Sequence, residues 1–140
     1  MPDKIELGVY LKDEGGYEII LKSLIHYKKR LRTIGSSPEL KDSSAMFGTI
    51  LQQEAMKTIP KIDEMVKKIQ GSLSDVKLLS SLSEDLPFLL KALLCYESDI
   101  KKAQDTGHEY FLKLIGNLSL VKNDLEVIKN ALNKIREFSV

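Results

Sequence analysis

One cysteine, Cys95, stands alone in 140 residues, and tryptophan is absent. A single thiol closes no internal disulfide and builds no cysteine zinc centre. Aromatic residues make up only 6% of the chain, thin for an all-β core. Proline (4) and glycine (8) are too few for a disordered or collagen-like chain. Apolar runs, such as Ile19-Ile20-Leu21, are far too short to span a bilayer. An excess of charge of one sign is also missing. Lys plus Arg is 21 and Asp plus Glu is 20, for a formal charge of +1, unlike a dedicated nucleic-acid wrapper. Met1-Pro2-Asp3-Lys4-Ile5-Glu6 carries no basic-then-apolar signal pattern, so a cytoplasmic location without membrane contact is expected.

What is present is 43% hydrophobic content. It suits one domain over residues 1–140 and is sorted at helical spacing. Tyr17, Ile20, Leu21, Leu24, Tyr27, Leu31 and Ile34 line one side of a first helix, between Gly15-Gly16 and Gly35. Phe47, Ile50, Leu51, Ala55, Ile59, Ile62, Val66 and Ile69 form the face of a second, ending at Gly71. Pro60 removes the bond to the Met56 carbonyl, which predicts a kink. Leu86, Leu89, Leu93, Tyr96, Ile100 and Ala103 mark a third helix, with Pro87 in its first turn. Ser81 and Glu84 have capping-box spacing before it, and Leu73, Val76, Leu79 and Leu82 suggest a short lead-in helix. Phe111, Leu114, Leu118, Val121, Leu125, Ile128, Leu132 and Ile135 predict one long helix over about 107–137, with Thr106 and Glu109 as its capping box.

Two local readings stay open. The third stripe runs almost in phase through Gly107 into the fourth, so residues 84–138 are either one long helix or two; Asp105-Thr106-Gly107 favours a turn. In the arm 1–14, Ile5, Leu7, Val9 and Leu11 alternate as in a strand, but the chain offers no second strand to pair with. The expected fold is all-α: an antiparallel up-down-up-down four-helix bundle, its second helix kinked at Pro60, with a short N-terminal arm either extended or helical.

Carboxylate-bridged metal chemistry in such a bundle needs Glu-x-x-His, and none exists. The all-helical nucleotide pyrophosphatases gather acidic pairs three apart, and no Glu-x-x-Glu exists either. Glu54, Glu97 and His108 are the remaining weak metal or enzymatic candidates. Cys95 in a leucine-rich helix reads as a small core hydrophobe rather than a nucleophile. The basic end of the first helix, Lys28, Lys29, Arg30 and Arg32 with Lys22 upstream, suits either a helix dipole or a phosphate or nucleic-acid contact. His108 and Tyr110 open the fourth helix as candidates for a partner or ligand surface.

Apolar residues outside the stripes (Leu112, Leu120 and Val127, with Met46, Met56 and Met65) suggest covered protein surface. The leading expectation is a non-enzymatic helical protein acting through protein contact, as a homodimer and without a cofactor. The alternatives are anion binding at the basic helix end and metal or enzymatic chemistry.

Overall fold

The computed structural model describes residues 4–36, 38, 45–72, 74, 81–116, 118–121 and 123–138. They are mostly helical, and among them there is no strand. In chain order the helices are α1 (Lys4–Asp13), α2 (Gly16–Arg32), α3 (Ala45–Ser72), α4 (Leu86–Thr106), α5 (Glu109–Ile115), α6 (Leu118–Val121) and α7 (Asp124–Phe138). Short 3-10 turns lie at Ile34–Ser36 and Leu82–Glu84. No helix among the described residues is long and apolar enough to cross a membrane.

The strand reading of the arm is corrected to helix. Adjacent Tyr10 and Leu11 are both buried and Val9 is 45% exposed, which period-two alternation forbids. A lone strand also leaves its backbone groups unpaired, whereas a helix satisfies them internally. Gly15 then turns the chain at φ 82, and Gly16 sits directly beneath the Tyr10 ring. A Cβ at position 16 would strike that buried ring, so the α1–α2 corner depends on this glycine.

The long C-terminal helix is corrected as well. Gly107, at φ 63, ends α4 and decides for a turn. Gly116, at φ 81 and ψ −123, ends α5, and the stripe continues through α6 into α7. The predicted face nevertheless holds: Phe111, Leu114, Ile128, Leu132 and Ile135 are all buried. Periodicity reports which side faces the core, not whether the backbone is continuous. The cap also differs. His108 Nδ1 accepts from the Tyr110 amide at 3.1 Å, while the Thr106 hydroxyl donates to the Lys102 carbonyl at 2.6 Å. Ser81 makes no side-chain cap, and the Asp85 carboxylate before α4 takes the Lys68 ammonium of α3 instead. The lead-in stripe at Leu73, Val76 and Leu79 lies outside the described residues.

α3 runs to Ser72 with Pro60 inside it, and Gly71 falls within its last turn. Ile62, Met65 and Ile69 enter the core, so Met65 is a packing residue and not spare surface. α2 packs on α3 and on α4, α7 packs on α4 and on α2, and α1 covers α2. A ring of four equal helices would keep α2 and α4 on a diagonal. Here they face each other directly, because α2 buries two faces. Ile20, Leu24 and Tyr27 make one, and Ile19, Ser23, His26 and Arg30 make the other. That second, largely polar face positions the candidate site.

Candidate functional site: a buried polar network and an open cleft

The steps from Ile19 to Ser23, His26 and Arg30 are four, three and four, the spacing of a helix face turned to a neighbour. On α4, Ala92, Tyr96, Asp99 and Ala103 repeat it, and all four are buried. Asp99 is 2% exposed, His26 5% and Arg30 7%. One oxygen, Asp99 Oδ2, gathers the contacts. His26 Nε2 lies 2.7 Å from it, Arg30 Nε 3.3 Å, and the Cys95 thiol donates at 3.8 Å. The Ser23 hydroxyl is turned back to the Ile19 carbonyl at 2.8 Å. Burying a carboxylate this deeply is tolerable only beside a fixed cation and hydrogen-bond donors.

The network continues outward from Arg30. Its Nη1 donates to the Tyr110 hydroxyl at 2.9 Å, and its guanidinium lies over the Tyr110 and Phe111 rings at 5.3 and 5.5 Å. The Tyr110 hydroxyl is also 3.1 Å from the Thr33 carbonyl and 2.9 Å from the Thr33 hydroxyl. Short α5 is thereby latched to the end of α2. On the other side, the His26 ring stacks near Tyr96 at 4.9 Å, and Tyr96 donates to Asp124 at 2.9 Å. Lys22 lies 3.5 Å from the same Asp124 oxygen. Among the described residues no buried side-chain polar atom lacks a partner.

His26, Cys95 and Asp99 place three ligand-type atoms within 4.8 Å of one another. The Arg30 guanidinium already sits on the carboxylate oxygen that a divalent ion would need, and its positive charge opposes one. Burial pushes the Cys95 thiol up from 9.0 to about 12, aided by the Asp99 charge. A nucleophilic cysteine requires the opposite surroundings. Chemically, the cluster is a satisfied network that joins α2, α4 and α5.

Next to it opens a cleft of about 390 Å³. Lys22, Ile25, His26 and Lys29 of α2 and Tyr96 of α4 line one side. Leu114, Ile115, Val121 and Asp124 line the other. Lys29 Nζ reaches the Leu114 carbonyl at 3.3 Å.

The residues singled out in the sequence disperse. Lys28 pairs with Asp63 of α3 at 2.7 Å, Lys29 reaches the Leu114 carbonyl, and Arg32 is exposed. Arg30 departs from the basic group, because it is buried on Asp99. Glu54 lies near Lys57 and Glu97 near Lys101, each as an in-helix pair, and His108 caps α5. Among the described residues these three form no ligand cluster. Tyr110 belongs to the Arg30 latch rather than to an idle surface.

His26 and Asp99 were not singled out as a pair. Their signal was polar residues at core spacing on two stripes, which apolar pattern matching passes over. Comparison with known proteins finds no matching family model, no matching curated protein and no matching solved structure.

Proposed function

We propose that this chain is a non-enzymatic helical protein that works by contact with other proteins and associates with a second copy of itself. The carrying observation is the exposed apolar side chains in the first half of α3. Met46 is 75% exposed, Met56 70%, Ile50 49% and Phe47 48%. Four large apolar side chains on one stretch of helix exceed the scattered exposure of a typical monomer. Methionine adapts its shape readily, which suits a contact surface. The inert thiol and the fully engaged polar network support a role without chemistry. The up-down-up-down course of the four long helices and the kink at Pro60 belong to the same proposal.

Gel filtration with light scattering tests it. The dimer mass of about twice 15.8 kDa is expected at micromolar concentration. Replacing Met46 and Ile50 by Lys should shift the species to a monomer with an unchanged helical spectrum. A wild-type monomer at high micromolar concentration defeats the self-association.

A further inference from the structure

The cleft beside Tyr96 does not end at Lys29. A second hollow of about 540 Å³, lined by Ile25, Lys28, Lys29, Arg32 and Thr33, shares Ile25 and Lys29 with it. Together they run along the outer face of α2. Lys22, Ile25, Lys29 and Arg32 fall within about 80° of one another on a helical wheel. Ile25 is 56% exposed at the centre, with Leu114, Ile115 and Val121 as an aliphatic wall. Four cations border the groove. Lys22 faces Asp124, the one carboxylate among the described residues that lines it, and Lys28 is paired with Asp63 of α3, so the exposed charge centres on Lys29 and Arg32. The groove is therefore apolar along its floor and positive along its rim.

That combination selects its occupant. A nucleic-acid strand would meet the cations but leave Ile25 and its aliphatic wall without stacking contacts. A second copy, laid antiparallel across Ile25, would set Lys22 against Lys28 and Lys29, and like charges oppose that pairing. An amphipathic helix with an apolar stripe and acidic flanks satisfies both features at once. We propose that the α2 groove receives an acidic amphipathic helix of a partner protein. Its apolar stripe lies on Ile25, and its carboxylates meet Lys29 and Arg32. The inference rests on the reading of the chain as a protein-contact module, but uses a face separate from the α3 patch.

The test is fluorescence anisotropy at low salt. The probe is a labelled peptide of about sixteen residues, with Leu at every third and fourth position and Glu on both flanks. Saturable binding to the full chain is expected, about tenfold weaker for a scrambled peptide of the same composition. Ile25→Glu and Arg32→Glu should each weaken it by about tenfold while the thermal melt stays in place. No binding, equal binding of the scrambled peptide, or affinity unchanged in both variants overturns the proposal. So does tighter binding of a labelled oligothymidine with the same loss in the variants, which would make the groove a phosphate site. The Met46→Lys, Ile50→Lys protein separates the two readings. Peptide affinity retained in it supports the groove whatever becomes of self-association. A dimer that ignores the peptide removes the groove alone.

Discussion

At the scale of single residues, Asp99 carries the most. Its carboxylate is what keeps Arg30 and His26 compatible with burial. Asp99→Ala should cost about 3–5 kcal/mol by urea unfolding, because it strands a buried guanidinium. Arg30→Met placed on Asp99→Leu should recover much of that loss, since the replaced pair no longer carries charge. A double-mutant cycle showing no coupling would deny the ion pair its role. Cys95 offers a second check. With its thiol pushed up by burial and the Asp99 charge, the thiolate at neutral pH is far scarcer than in a free cysteine. Iodoacetamide should alkylate the native protein correspondingly slowly and the urea-unfolded chain at the ordinary rate. The sequence did suggest an unreactive Cys95. It did not reveal Asp99, because a carboxylate at core spacing is indistinguishable from a surface one until the opposing helix supplies His26 and Arg30.

At the scale of elements, the apolar stripes were the most legible part of the chain. Most of each predicted face meets the core, with Ile20, Ile62, Leu93 and Ile128 among the deepest positions, but Phe47 and Ile50, expected on the second face, are 48% and 49% exposed because the start of α3 lies beyond the helices that cover its later turns. The breaks were less legible. Gly116 has ordinary neighbours in sequence, yet its φ 81 and ψ −123 are accessible to glycine alone. Gly116→Ala should therefore destabilise the fold by about 1–3 kcal/mol, although nothing lies within 4 Å of the added carbon. Thermal unfolding measures it, and an unchanged melt would show that α5 and α6 can merge without strain. The latch makes a parallel case. Tyr110→Phe removes the hydroxyl shared by Arg30 and Thr33, at an expected cost of about 1 kcal/mol. Faster amide exchange in α5 than in α4 should accompany it.

At the scale of the molecule, burial of weak acids makes stability depend on alkaline pH. Burial raises Tyr10 to about 12, assisted by Glu14, and pushes up Cys95, Tyr27 and Tyr96 as well. Each folded-state value lies above the unfolded one, so the folded chain holds these protons longer. Their contribution is complete below the ordinary values of 9.0 and 10.0 and is lost as pH climbs toward 12. The urea midpoint should fall steadily above about pH 9, and Cys95→Ala should flatten the slope by up to one proton. A midpoint constant to pH 11 would contradict the burial of these groups.

The amino-acid sequence by itself determined the helical class and most of the core side of each long helix. Those properties follow from spacing and local composition, which act within a few turns. Tertiary structure decided the rest. It turned the arm into α1, because an unpaired strand cannot satisfy its backbone. It set α2 directly against α4, because α2 has two buried faces. It drew Arg30 out of the basic cluster into a network with Asp99 and His26, and left Lys22, Lys28, Lys29 and Arg32 around an open groove. Which cation is buried depends on Asp99 arriving from a distant helix, a pairing no local pattern encodes.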